Sequence, residues 1–427
     1  MAELCNQSIV RLVGGKTATI IKEIGRGGQG IVYLVEVSRQ QKALKWYFNA
    51  PDDKFYQNLE QNVMAGAPSN AFLWPEYLTE KQQGSYGYIM NLRPKNYYEF
   101  GNYLLAKVTF KSFSAMLSAA MKICNGFMML HRFGYSYQDL NDGNFFIDPQ
   151  TGDVLICDND NVMPQGEKSG IMGKARYMAP EIVAGGIPDK YSDRFSLSVI
   201  LFMLFYANHP FEGEKVVACP CMTEAFEKRF YGSEATFIYD PNDRSNLPVR
   251  GIHQNVIRRW PVFPKLLRDT FIHEFSQESL KDPSKRMIEQ NWKKVLITVR
   301  DSLVKCPHCG EESFVDNQFA VNPCMNCGNI IEVTKHLVIA NRFIPLVERV
   351  PIYISDDIIP DGIVIVDNTG FLLIKNISEK MWTVETPSGR IKTVAPQSIV
   401  PVKDGLKIHF QIPNLTCKAE IRFMSNN

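Results

Sequence analysis

The sequence predicts an α+β protein of several domains: a β-rich N-terminal region, a helical region, a small metal-bound ribbon and a compact all-β sandwich. Three observations carry this expectation. Glycine-punctuated β-rich runs over residues 20–48 give way, after residue 100, to long apolar stretches at helical period. Two C-x-x-C pairs follow at 306–309 and 324–327. From residue 335 the chain breaks into short β-runs separated by turn residues. At 427 residues it exceeds one ordinary core, and the boundaries expected are 1–93, 94–302, 303–334 and 335–427.

Composition narrows the functions. Hydrophobic residues make up 45% and charged ones 22%, enough for sizeable cores. A formal charge of +2 gives no bulk pull toward nucleic acid or acidic membranes, so neither is expected as a partner. The N-terminus has an early acid and no apolar run behind a basic stretch, unlike a signal peptide. The apolar run 199–207 falls far short of the roughly 20 residues of a membrane span. A cytoplasmic protein with reduced cysteines is the expectation.

In the first region Gly25, Gly27 and Gly30 stand at G-x-G-x-x-G spacing, with Val32 two residues on. Glycines let a backbone approach phosphate oxygens. A dinucleotide fingerprint would open a helix, whereas residues 31–37 are β-rich and read as the second strand of a hairpin. The next β-run, 42–48, carries Lys45 between apolar neighbours, where a solvated edge lysine is the bland alternative. The helical pattern from Asp53 to Met64 offers Glu60 as its ion-pair partner, against a plain surface acid. Residues 87–93 read as a strand entering a linker, with Met90, Asn91 and Leu92 at its end.

Residues 113–131 repeat apolar positions at helical period, and Gly134 ends the pattern. Then come Asp139, Asn144 and Asp158 within one short span. Phosphoryl transfer needs a carboxylate to orient the attacking hydroxyl and oxygen ligands for Mg²⁺. Asp139 and Asn144 stand at D-x-x-x-x-N spacing, Asp158 follows a β-run, residues 179–181 read Ala-Pro-Glu, and Asp193 and Arg286 follow in order. This ordered set resembles the protein kinase superfamily. The resemblance implies a two-lobed kinase-like fold binding ATP and Mg²⁺ or Mn²⁺. Asp139 would be the catalytic aspartate, Asn144 and Asp158 the metal ligands, and Lys45, fixed by Glu60, the phosphate grip. Gly25, Gly27, Gly30 and Val32 would cover the nucleotide, and Met90, Asn91 and Leu92 would meet the adenine. Arg286 would pair with Glu181, and Asp193 would prop the catalytic loop.

Departures from the family pattern bear on regulation. Tyr137-Gln138 replaces His-Arg, so the usual arginine that receives an activation-loop phosphate is missing, and the only loop hydroxyls between Asp160 and Ala179 are Ser169 and Tyr177. Activity not gated by loop phosphorylation is therefore expected. Asn159-Asp160 replaces Phe-Gly. A polar Asn159 cannot bury with the roughly 1.5–3 kcal/mol gain of a large apolar side chain, and Asp160 is read as a solvated loop acid, with an extra metal ligand as the alternative. Asn141 stands where serine/threonine kinases have lysine; Lys174 is expected to supply that cation to the transferring phosphate, with an exposed loop lysine as the alternative.

Cys306, Cys309, Cys324 and Cys327 form two knuckles separated by fourteen residues, the pattern of a structural Zn²⁺ ribbon, with His308 a turn residue. The runs from 337 to 410 predict a small sandwich whose end loosely resembles a forkhead-associated domain. The whole arrangement resembles bacterial serine/threonine-type kinases carrying such a tail, some of them beside tellurite-resistance-linked von Willebrand-A proteins and phosphatases. It implies a protein substrate and a protein partner on the β-module. The alternative is a pseudokinase-type nucleotide-binding scaffold that recruits partners through ribbon and β-module.

Overall fold

The computed structural model describes residues 3–82, 84–168, 173–316, 322–356, 359–412 and 415–424. The chain forms two compact units, one of residues 1–110, 122–247 and 274–289, the other of 111–121, 248–273 and 290–427.

The first unit opens with an antiparallel six-stranded sheet in the order Ile9–Arg11, Thr17–Arg26, Gly30–Val37, Gln40–Tyr47, Gly87–Asn91, Tyr77–Leu78. Strand alternation divides the strand Gln40–Tyr47 between two cores. Leu44 and Trp46 join Val10, Ile20, Ile31 and Val35 on one face, while Ala43 and Tyr47 join Phe55, Leu59, Tyr88 and Met90 on the other. Lys45 shares that second face, paired in register with Val32 and Tyr88. Gly30 is required here, since a Cβ would lie 2.2 Å from the Trp46 carbonyl oxygen.

The helix Asp53–Ala65 starts where Asp52 accepts the Phe55 amide at 2.8 Å and ends at Gly66 with φ 74°. Its buried side is Phe55, Asn58, Leu59 and Asn62. The helix Lys190–Tyr206 is capped by Asp189 and buried nearly all round, as its apolar sequence dictates. Arg286 donates a bidentate pair to Glu181 at 2.7 and 2.8 Å, fixing the Ala-Pro-Glu turn.

The helix Phe113–Arg132 has the length and hydropathy of a membrane span, but 67% of its apolar window is buried inside the protein. Core packing accounts for its composition.

In the second unit, strands Leu303–Lys305 and Glu312–Phe314 pair, as do Asn322–Pro323 and Ile330–Ile331, presenting the two cysteine knuckles. Beyond them are a six-stranded and a four-stranded antiparallel sheet, the expected all-β architecture. Ile352, Val364, Ile374 and Val400 of the smaller sheet share a core with Trp382, Ile408, Phe410 and Ile421 of the larger. The helix Glu289–Asp301 is tied to this sandwich at its end. Arg342 pairs with buried Asp301 at 2.6 and 2.9 Å, and Arg300 lies 4.0 Å over the Tyr353 ring and donates to the Ser355 carbonyl.

Candidate active site

The first unit gathers groups far apart in sequence. The glycine turn between the strands Thr17–Arg26 and Gly30–Val37 closes through the Gly27 amide on the Gly30 carbonyl, and a Cβ at Gly27 or Gly28 would meet open space. Val32, Ala43, Met90, Leu92, Phe146 and Cys157 belong to one apolar cluster of this unit, and apolar side chains of this kind suit a flat aromatic ring. Of these, Ala43, Phe146 and Cys157 were not singled out from the sequence; their partners are strands distant along the chain.

Lys45 is buried, with Nζ 2.8 Å from Asp160 Oδ2, 3.4 Å from Asp158 Oδ1 and 3.2 Å from Gln29 Oε1. Burial alone would lower its pKa; the two aspartates outweigh this and hold it above the ordinary lysine value. The expected Lys45–Glu60 pair is not formed among the described residues. The helix instead turns Asn58 and Asn62 inward, and both donate to the Val162 carbonyl at 2.9 and 3.1 Å.

Two further expectations are corrected. Asp160 is not a solvated acid but fully buried, its Oδ2 also accepting from the Tyr47 hydroxyl at 2.5 Å. Asn159 is fully buried too, donating to the Leu73 and Ile156 carbonyls at 2.8 and 3.0 Å. Both donors of the amide nitrogen are thereby satisfied in this core position.

The stretch around Asp139 is held by the helix Lys190–Tyr206. Asp193 accepts the Tyr137 amide at 2.7 Å and the Gln138 amide at 3.3 Å, letting Gln138 adopt φ 69°. His131 bridges Asp193 Oδ2 at 3.0 Å and Glu289 Oε1 at 2.9 Å. Burial opposes its charge, yet the two carboxylates raise its pKa to about 9. The Tyr137 hydroxyl donates to the Cys157 carbonyl and the Cys157 amide to the Asn144 carbonyl, so this stretch and the Asp158 turn are joined. Gln138 Nε2 donates to the Glu167 carbonyl at 2.6 Å.

At the mouth, Asn141 Nδ2 donates to Asp139 Oδ1 at 3.3 Å and Asn141 Oδ1 accepts from Lys174 Nζ at 3.2 Å. Asp139 is pushed above the usual carboxylate range, chiefly by burial, against the Asn141 hydrogen bond. Gly173 allows this approach, since its Cβ would lie 3.3 Å from the Gln138 carbonyl and 3.4 Å from Asp139 Oδ1. Asn144 Oδ1 accepts the Asn141 amide at 2.8 Å, and Asp158 is half-exposed. Asp158 and Asn144 supply hard oxygen donors suited to Mg²⁺, since an amide oxygen keeps a second lone pair. Tyr177 is buried, and Ser169 lies outside the described residues.

In the second unit the four sulfurs of Cys306, Cys309, Cys324 and Cys327 lie within 4.8 Å of one another. The separations Cys306–Cys327 of 3.8 Å and Cys309–Cys324 of 3.7 Å match the edge of a tetrahedron with Zn–S bonds of about 2.3 Å, roughly 3.75 Å. Each knuckle turns on a glycine, Gly310 at φ 77° and Gly328 at φ 74°. The site fits structural zinc.

The protein kinase domain family matches residues 18–294. Over 209 residues the chain is 29% identical to the protein kinase C delta type of Rattus norvegicus, covering 46% of this chain and 30% of that protein. It is 29% identical over 103 residues to the probable serine/threonine-protein kinase PknB of Bifidobacterium longum, covering 22% and 15%. The corresponding PknB of Corynebacterium glutamicum is 28% identical over 103 residues, covering 22% and 16%. The chain thus spans less than a third of the length of these relatives.

Proposed function

Because the chain belongs to the protein kinase family, we propose that it transfers the γ-phosphoryl group of ATP to serine or threonine hydroxyls of a protein substrate. The observation that supports this most is the contact of Lys45 with Asp158 and with Gln29 of the glycine turn, together with Asn141 joined to Asp139 and Asn144. Bound ATP would supply the phosphoryl group, and its Mg²⁺ or Mn²⁺ would neutralise charge on the phosphates. Asn144 and Asp158 would hold the metal, and Lys45 would hold the phosphates. Asp139 would orient the acceptor hydroxyl and take its proton; burial raises its affinity for that proton. The apolar cluster of Val32, Ala43, Met90, Leu92, Phe146 and Cys157 would meet the adenine.

Lys174 is proposed as the cation beside the transferring phosphate, because it reaches Asn141, which itself touches Asp139. Lys174→Met should lower turnover by about 10²-fold with nucleotide affinity little changed, as loss of a preorganised transition-state donor does. Unchanged turnover would remove Lys174 from the mechanism.

Activity independent of loop phosphorylation is supported by Gln138, a neutral side chain on the Glu167 carbonyl where related kinases carry arginine. The β-sandwich is proposed to dock a protein partner, a von Willebrand-A-type protein and a phosphatase being the candidates, and the protein to be cytoplasmic. Purified protein with labelled ATP and Mg²⁺, compared with Asp139→Asn, tests the enzymatic reading. Loss of incorporation in the variant supports it; equal incorporation, or none in either, leaves the nucleotide-binding scaffold.

A further inference from the structure

We propose that Asp160, not a helix glutamate, is the acid that positions the phosphate-binding lysine, so that lysine and metal ligand are set by one turn rather than by the helix Asp53–Ala65. The inference rests on the kinase reading.

Asp160 lies in the 3₁₀ turn Asn159–Asn161 that starts immediately after Asp158. Its side chain is 0% exposed, and Oδ2 holds both the Lys45 ammonium at 2.8 Å and the Tyr47 hydroxyl at 2.5 Å. Asp158, the other carboxylate within reach of Lys45, is farther off at 3.4 Å and 46% exposed. The two acids therefore divide the work: the open one can turn to a metal while the enclosed one keeps the lysine. A buried ammonium requires a partner, and Asp160 is the enclosed one.

The helix has a different connection. Asn58 and Asn62, one turn apart on its inner side, both grip the Val162 carbonyl just past the turn. It braces the segment carrying Asp160 and makes no charge contact with Lys45 among the described residues. Displacing the helix would not in itself separate the lysine from its acid. A kinase so built lacks the switch in which a moving helix makes or breaks that ion pair.

A double-mutant cycle tests this. The full chain, Lys45→Met, Asp160→Asn, the double variant and Glu60→Gln are compared in affinity for a non-hydrolysable ATP analogue and in thermal unfolding. Lys45→Met and Asp160→Asn should each weaken binding by about tenfold or more, as loss of a charged contact does. The double variant should bind no worse than Lys45→Met, and Glu60→Gln should match the parent. Asp160→Asn leaves the buried Lys45 charge to the more distant, half-exposed Asp158, so it should lower the unfolding temperature, and adding Lys45→Met should restore part of the loss. Additive losses in the double variant, or a loss in Glu60→Gln equal to that in Asp160→Asn, would overturn the proposal. Should Asp160→Asn not fold, recovery of folding in the double variant supports it and failure to recover counts against it. A parent that binds no nucleotide refutes the kinase reading, while the unfolding arm still decides whether Asp160 is the partner of Lys45.

Discussion

Replacing His131 by glutamine removes a buried charge beside the stretch proposed to be catalytic, and its consequence can be worked from the structure. His131 sits between Asp193 and Glu289, and Asp193 holds the Tyr137 and Gln138 amides. Burial works against protonation, but the carboxylates raise the imidazole from the ordinary 6.5 to about 9. That distance corresponds to ~3 kcal/mol of linked stability. At 5% side-chain exposure little of it is screened by water. Glu289, pulled down to about 2 against its own burial by His131 and Arg194, reports the same contacts and is not counted again. Because the folded-state pKa is raised, the contribution is complete below pH 6.5 and is lost as pH rises through about 9. Urea unfolding at pH 6.5, 8 and 9.5 should show the gap between parent and His131→Gln narrowing by ~3 kcal/mol across that window. A gap that stays constant with pH would refute the assignment of a protonated His131.

Two other perturbations are equally specific. Asn159→Phe would restore the residue type of the related kinases, yet it should destabilise the protein by about 2–4 kcal/mol, since the Leu73 carbonyl loses the Asn159 donor, the Ile156 carbonyl is left with the Leu73 amide, and the position is overfilled; a neutral or stabilising effect in thermal unfolding would contradict the packing described. Purified protein should carry one zinc ion per chain, released on alkylation of Cys306, Cys309, Cys324 and Cys327; a folded, zinc-free protein with all four thiols freely reactive would rule out the ribbon.

The parts of the fold legible in the sequence were those encoded by short spacing. The glycines before Val32, the Asp139–Asn144 interval and the two C-x-x-C pairs are each local, and backbone geometry alone brings their members together. What escaped depends on partners 86 to 115 positions away. Asp160 looked like a solvated acid because nothing adjacent could pay for its burial; Lys45 and Tyr47, 115 and 113 positions distant, do so. Asn159 reads as gaining little from burial for a similar reason, as the Leu73 carbonyl lies 86 positions away. Glu60 misled because helical period alone does not say which side faces inward when that side carries Asn58 and Asn62. The apolar cluster proposed for the adenine is half visible in the sequence, since Met90 and Leu92 lie in one strand and linker while Ala43, Phe146 and Cys157 join it from others.

The most direct measurement is phosphate incorporation from labelled ATP and Mg²⁺ into a protein acceptor, by the parent chain and by Asp139→Asn in parallel. The account predicts steady incorporation on serine or threonine by the parent and a fall of at least about 10²-fold in the variant, with nucleotide binding retained. Equal incorporation by the two, or a parent that binds ATP and transfers nothing, would contradict it.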